Sequence, residues 1–276
     1  GRRGPRGDQE RIGMRKPKIV VVGDFMNDTY WLAKGPTRIS PEAPIPVHEI
    51  VGLVSFEGGA GNVAANLEAL GAEVVRIGDC QLPHPIKNRL MVGDVQVARW
   101  DEYDQCESVQ AGISLDGIDA IVVADYGKGS VSRLELPACT RMPRVFVDTK
   151  QDPQGYPAWA EFFPNLLELM KFAKQYEGLR CVVKGGDKGV FYAQGVLWYP
   201  AWARQVRCVN GAGDTVIAAY AFACVMGYAN PLACANAAAA VVVEKPYTAT
   251  ATLAEIGEVL DRVGIGRPVL WDTKAG

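Results

Sequence analysis

Short, continuously apolar runs separated by stretches of helical spacing constrain this chain more than any other feature. Residues 18–23 read KIVVVG and end at a Gly-Asp turn. Residues 120–124, 144–147 and 180–183 are similar β-branched runs. Strands that do not alternate apolar with polar are buried on both faces, which is the habit of a parallel sheet covered by helices. Helical spacing falls at 60–70, closed by Gly71, and at 131–136, 165–174, 212–226, 231–243 and 253–263. The alternation predicts an α/β fold with a mainly parallel central sheet. Two segments do not fit it. Residues 45–56 follow the Pro-rich stretch 41–46, and 87–100 read as a hairpin turning at Val92-Gly93-Asp94. They predict a small accessory sheet beside the main one, and residues 189–199 predict a further hairpin.

A chain of 276 residues, 49% hydrophobic and 22% charged, has enough apolar material for one large domain. The 29 Lys and Arg nearly cancel the 31 Asp and Glu, so global charge gives no reason to expect nucleic acid as a partner. The two histidines, His48 and His84, exclude chemistry built on several imidazoles. Seven cysteines, none closer than ten residues to the next, contain no CxxC motif and read as reduced thiols of a cytoplasmic protein. The longest strongly apolar run, near 216–226, is well short of the ~20 residues that cross a bilayer, so no membrane partner is expected. Residues 1–17, rich in Gly and Arg and without an apolar stretch, read as a flexible tail before a domain at 18–276.

Four glycine-bearing motifs carry the chemistry. Gly58-Gly59-Ala60-Gly61-Asn62 opens a helix, where free N–H groups can meet ligand oxygens. A Gly-rich strand-to-helix turn explains it equally well. Asn210-Gly211-Ala212-Gly213-Asp214-Thr215 opens the apolar helix 216–226. Glycines flanking a small residue expose successive amides as an anion nest. A carboxylate there can take a proton from a hydroxyl while the nest steadies a phosphoryl group, whereas a mere cap would not require Gly-Ala-Gly. Asn165-Leu166-Leu167-Glu168 fits a capping box, and equally a polar pair holding Mg²⁺ and its waters. Lys184-Gly185-Gly186-Asp187-Lys188-Gly189 is either a hairpin turn or a loop along which a nucleotide lies.

In this order over nearly the whole chain, Gly-Asp, GGxGN, NxxE, KxGxxG and GAGD resemble the ribokinase/PfkB family of carbohydrate kinases. The segment Gly35-Pro36-Thr37-Arg38-Ile39-Ser40-Pro41-Glu42-Ala43-Pro44 resembles that of the D-glycero-β-D-manno-heptose 7-phosphate kinases within the family. So do residues 23–31, 124–129, 147–150 and 213–217. The resemblance implies a ribokinase-like three-layer fold with a small β-sheet lid formed near 45–56 and 87–100. It implies ATP-dependent phosphorylation of a sugar hydroxyl, most simply heptose 7-phosphate to the 1,7-bisphosphate. Asp214 would be the base, and the amides of Gly211, Ala212 and Gly213 the anion hole. Asn165 and Glu168 would hold Mg²⁺ through water. Lys184, Gly186, Gly189 and Asn236 would line the ATP. Asp24, Asp28, Gly59 and Asn62 would meet sugar hydroxyls, and Arg38, Lys128 and Lys150 the sugar phosphate. A monovalent cation and a homodimer through the accessory sheet are further implications of the resemblance.

The chain also departs from the family pattern. Cys208-Val209-Asn210 stands where Asp-x-Thr is usual, which threatens the organisation of that loop. Glu244-Lys245-Pro246-Tyr247 replaces a Gly-rich segment and alters the adenine or monovalent-cation surroundings. A helix and strand after Gly78-Asp79, and a helix between 174 and 179, are missing. Two other readings therefore stand beside the first: a kinase of another sugar or a nucleoside, and a catalytically weakened kinase-like binding protein.

Overall fold

Strand β1 (Lys18–Gly23) lies one strand in from the edge of the main sheet, paired with the edge strand β4 (Glu73–Ile77) on one side and with β7 (Ala120–Asp125) on the other. The structure is a computed structural model describing residues 15–79, 84–103, 105–106, 115–131, 142–195 and 197–267. Beyond β7 the sheet continues in parallel through β8 (Arg144–Thr149), β9 (Glu161–Phe162) and β10 (Arg180–Lys184). The hairpin β11 (Val190–Tyr192) and β12 (Trp198–Tyr199) closes that edge antiparallel.

The apolar runs face two layers. Ile19, Val21, Ala120 and Val122 join the core beneath the helices α1 (Ala60–Ala69), α3 (Ala212–Val225), α4 (Pro231–Val243) and α5 (Leu253–Arg262). Their neighbours Val20, Val22, Ile121 and Val123 pack on the opposite face with Leu115, Tyr176 and Leu169 of α2 (Leu166–Lys171). A strand sandwiched in this way needs apolar residues at every position, which is why these runs do not alternate. Helices α3 and α4 are apolar nearly all round because they are enclosed, and their alanines permit close approach. Asn230 caps α4 and Pro231 starts it, while a Thr252–Glu255 capping box starts the amphipathic α5.

A second sheet of four strands has the order β3-β2-β5-β6, formed by β2 (Phe25–Ile39), β3 (Pro46–Gly59), β5 (Ile86–Val92) and β6 (Val95–Glu102). The hairpin expected at 87–100 is β5–β6, and the strand expected at 45–56 is β3. The fifteen-residue β2 was not foreseen, because Gly35-Pro36 reads as a breaker. Pairing of β2 with β5 ends at Ala33↔Val92, so Pro36 lies where β2 borders β3 alone, at register shifts that absorb it. A missing N–H costs little there.

Three further expectations need adjustment. The helix expected at 165–174 spans only Leu166–Lys171, with turns leading to β10. The helix expected at 131–136 lies, beyond Val131, outside the described residues. The expected tail is tied down at its end: Arg15 Nη2 contacts Asp119 at 2.8 and 2.9 Å, and the Pro17 carbonyl accepts from Glu73 N. The described cysteines are free, and burial pushes the thiols of Cys181, Cys224 and Cys234 up to about 12.

Candidate active site

The motifs converge at the carboxyl ends of the parallel strands, where open α/β sheets place their sites. Gly211, with φ +77°, turns the chain into α3 and sets Asp214 in its first turn. The Gly211 carbonyl accepts from Thr215 N at 3.0 Å, Thr215 Oγ1 at 3.1 Å and Asn62 Nδ2 at 3.2 Å. Of the three expected nest amides, that of Ala212 is spent on the Val209 carbonyl at 3.3 Å. Gly211 and Gly213 keep amides without a main-chain acceptor among the described residues.

Asp214 is buried. Asn62 Nδ2, on α1, donates to its Oδ2 at 3.0 Å, and the Tyr126 hydroxyl donates to its Oδ1. Burial pushes the Asp214 carboxyl above the ordinary aspartate range, and these two bonds only partly counter it. Burial, with the charges of Asp214 and Asp148, raises the Tyr126 phenol well above its usual value, so it stays protonated and donates. Tyr126 is held by its backbone: Tyr126 N, Lys128 N and Ser130 N donate to the Asp24 carboxylate at 2.7, 3.0 and 3.0 Å. Asp24, expected to meet a sugar hydroxyl, is fully buried and acts instead as the anchor of this loop.

On the main-sheet side Asp148, at the end of β8, receives the ammoniums of Lys184 and Lys150, the latter at 3.3 Å. Burial works to raise the Asp148 carboxyl, and the two lysines outweigh it and hold it below the usual range. Lys150 also meets Glu168 Oε1 at 2.6 Å. Burial alone would lower the Lys150 ammonium; Asp148 and Glu168 hold it above the ordinary lysine value. Its ammonium is thus balanced by two carboxylates. Glu168 and Asn165 form a full capping box, with Glu168 N to Asn165 Oδ1 and Asn165 N to Glu168 Oε2 both 2.9 Å.

A cavity of about 510 Å³, within the range of small-molecule sites, adjoins this cluster. Its polar wall is Tyr126, Asp148, Lys150, Asn165, Lys184 and Asp214, with the glycines 186, 189, 211 and 213. Its apolar wall includes Val190, Trp202, Val206, Val209, Ala240 and Val243. A Cβ on Gly213 would sit 3.5 Å from Lys184 Nζ, so that ammonium borders the nest. Asn236 also lines the cavity and donates to the Pro200 carbonyl at 2.8 Å. The loop bearing Cys208 keeps its place without the usual carboxylate, because Arg207 N and Cys208 N donate to the Val243 carbonyl at 2.8 and 3.2 Å.

The second sheet supplies the other side. Arg89 Nη1 meets Asp28 Oδ1 at 2.7 Å, both side chains being buried. Thr248 Oγ1 donates to Asp28 Oδ2 at 3.1 Å, and Asn210 Nδ2 donates to the Tyr30 hydroxyl at 3.1 Å. Gly59 starts α1 at φ +57°, where a Cβ would meet Met26 and the Asp24 carbonyl. In the loop after α4, Lys245 Nζ donates to the Thr250 carbonyl at 2.8 Å and pairs with Glu255 at 2.6 Å, so this loop carries its own cation.

The structure thus brings together Asp214, Gly211, Gly213, Asn62, Asp28, Asn165, Glu168, Lys150, Lys184, Gly186, Gly189 and Asn236, with Lys128 on the Tyr126 loop. It does not bring in Arg38. That residue is exposed near the far end of β2, ten positions beyond Asp28, roughly 30 Å at ~3.3 Å per strand residue. Its expected role beside the substrate phosphate is not met within one chain. Sequence reasoning missed Tyr126, Asp148, Arg89, Tyr30 and Thr248. The available signal was position, since Tyr126 and Asp148 lie at or just beyond the carboxyl ends of adjacent parallel strands.

Residues 165–255 match the pfkB family of carbohydrate kinases. The bifunctional protein HldE of Chromohalobacter salexigens is 32% identical over 302 residues, covering 88% of this chain and 63% of that protein. HldE of Shewanella baltica is 33% identical over 307 residues, covering 89% and 64%. The chain thus spans just under two thirds of these relatives' length. Arabidopsis thaliana ribokinase, solved with ribose and ATP, shares the fold at a TM-score of 0.65 and 18% identity, covering 90% of this chain and 99% of its own.

Proposed function

This chain belongs to the pfkB family of carbohydrate kinases, and on that premise we propose that it transfers the γ-phosphoryl group of ATP to the anomeric hydroxyl of a heptose 7-phosphate. One observation carries the chemical part. Asp214 is a buried carboxylate with a raised proton affinity, set in the first turn of α3 between the nest of Gly211 and Gly213 and a nucleotide-sized cavity. The sugar as acceptor rests on the likeness of the 35–44 segment and its companions to heptose 7-phosphate kinases, and on the likeness to HldE proteins over most of the chain.

The mechanism follows from the placement. The apolar wall takes the adenine, and the Gly186–Gly189 turn lets the ribose and phosphates lie along the backbone. Asn62 and Tyr126 fix the Asp214 carboxylate, one on each oxygen. As the sugar oxygen attacks the γ-phosphorus, its proton passes to Asp214, the bond to the β-phosphate oxygen breaks, and ADP leaves. The nest amides and Lys184 meet the charge spread over the transferring group. Burial raises the base towards working pH, which improves proton transfer.

Among the described residues no three His, Cys, Asp or Glu side chains form a metal cluster. Mg²⁺ usually keeps several waters, and Glu168 with Asn165 offers oxygen acceptors suited to holding those waters. When bound with ATP it would supply neutralising charge on the phosphates. The reading includes a homodimer, supported by exposed Ile50, Leu53, Val95 and Val97 on the second sheet, with sedimentation as its test. It also places the protein in the cytoplasm, where ATP and sugar phosphates are available; no described helix is long and apolar enough to cross a membrane.

Coupled measurement of ADP release over a panel of phosphorylated and neutral sugars tests the reading. Turnover is expected with heptose 7-phosphate and Mg·ATP. No turnover with any sugar overturns the kinase, and equal turnover of the neutral heptose overturns the phosphorylated substrate.

A further inference from the structure

Most cations around Tyr126 have a carboxylate. Arg89 pairs with Asp28, Lys184 with Asp148, and Lys150 with Asp148 and Glu168. Lys87 differs. It lies on β5, opposite Asp28 of β2 in the register of the second sheet, and is half-buried. Its Nζ stands 4.6 Å from the centroid of the Tyr126 ring, the ring whose hydroxyl holds Asp214. It makes no ion pair or side-chain hydrogen bond with any described residue. Lys150 reaches the same ring at 5.3 Å, but from the main sheet and with its charge already balanced.

Resting on the kinase reading above, we propose that Lys87 binds the phosphate of the sugar substrate and so selects phosphorylated over neutral sugars. An ammonium brought into a cleft without a counter-ion is costly unless the bound molecule supplies an anion. On the nucleotide side Lys184 and Lys150 have their own carboxylates. The charge that needs a partner stands on the second sheet, beside Asp28 and Arg89, where the sugar would enter. Burial pulls the Lys87 ammonium below the usual lysine range, with Arg99 and Arg89 adding to the shift and Asp28 and Asp214 opposing it. A dianionic phosphate would oppose that shift. Arg99, bonded to Asp101 on the adjoining β6, adds positive potential at the same edge. This assigns to Lys87 a task that the family resemblance gives to Arg38, Lys128 and Lys150.

The test compares wild type with Lys87→Met, which keeps length and loses charge, and with Lys87→Arg. KM and kcat are measured for heptose 7-phosphate, neutral heptose and ATP. Lys87→Met is expected to raise KM for the sugar phosphate at least about tenfold, to leave ATP KM within about twofold and to cost any turnover of neutral heptose several-fold less, and Lys87→Arg to recover most of the loss. An unaltered sugar-phosphate KM, or an equal loss on neutral heptose, overturns the proposal. A wild type inactive on every sugar would instead overturn the kinase reading. The anion site then stands or falls on a second measurement, thermal stabilisation by inorganic phosphate with the nucleotide cavity filled by Mg·AMP-PNP. Stabilisation lost in Lys87→Met supports the site, and stabilisation equal in both proteins, or absent from wild type, overturns it.

Discussion

Replacing Asp214 by Asn separates the base from its surroundings. The side chains have nearly the same volume, and both neighbours can be kept. The introduced amide's oxygen can accept from Asn62 Nδ2, which stands 3.0 Å from Asp214 Oδ2, and its NH₂ group can donate to the Tyr126 oxygen. What is lost is proton affinity. General-base catalysis is typically worth ~10²–10⁴-fold, or about 3–5 kcal/mol at ~1.36 kcal/mol per decade. Coupled ADP release should therefore show kcat lower by at least about a hundredfold, while calorimetric ATP affinity stays within about twofold of wild type. The raised pKa adds an independent readout. Because burial lifts the folded-state value above the unfolded ~3.9, the native state holds this proton more tightly than the unfolded chain does. Below the unfolded value the group has no net effect. Stability then falls as pH rises through the window up to the folded value, and the deficit persists above it. Asp214→Asn removes the deficit, so it should melt higher than wild type at neutral pH, and the gap should close as pH falls towards ~4. A variant with more than half of wild-type kcat removes Asp214 as the base. One that melts lower at neutral pH refutes the account of its burial.

Glu168→Gln should shift the Mg²⁺ dependence of kcat to higher concentrations; an unchanged titration leaves Glu168 as a capping residue only. Gly211→Ala puts a Cβ against Asn62 Nδ2 at a backbone with φ +77°, so kcat should fall at least about tenfold, with about 1–3 kcal/mol lost in denaturant unfolding. Arg89→Met leaves the buried Asp28 carboxylate without its ion pair and should cost about 3–5 kcal/mol by the same measurement. Exchanging K⁺ for Na⁺ should leave kcat within about twofold, since Lys245 already provides the cation of the 244–250 loop.

Legibility followed burial. The strands at 18–23, 120–125, 144–149 and 180–184 announce themselves because helices or turns cover both faces and every position must be apolar. The helices α3 and α4 were equally plain, enclosed and rich in alanine. The second sheet was only half legible. Its strands carry polar residues on the face that shields the site, such as Asp28 and Arg89, and leave apolar residues such as Val95 and Val97 exposed. That reverses the usual alternation, and Gly35-Pro36 hid the length of β2. Motif order placed residues along the chain but not in space. Arg38 sits in a telling segment and lies away from the centre, whereas Lys87, in a hairpin that carries none of the motifs, reaches it. The capping-box geometry of Asn165 and Glu168 was foreseen as local structure, but their link to Lys150 and Asp148 needed the juxtaposition of β8, α2 and β10.

The arrangement also explains how a raised carboxylate survives at the centre. Asp214 is buried at the cavity wall, and each of its oxygens receives one donor, neither of them a full positive charge. A paired lysine there would lower its proton affinity and make it a poorer base. The ammoniums stand one step away, on Asp148 and Glu168, or over the Tyr126 ring in the case of Lys87. Tyr126 thus separates positive charge from the base while passing it a neutral hydrogen bond. Its position depends on Asp24, whose carboxylate gathers three amides of the 126–130 loop. Asp24 therefore acts on Asp214 only indirectly, by fixing the loop from which the Tyr126 hydroxyl donates. The Gly-Asp turn that ends β1 follows from the same logic. Any side chain at Gly23 would collide with the Ala124 carbonyl, the atom that accepts the Asp24 amide at 3.0 Å and draws the two strand ends together.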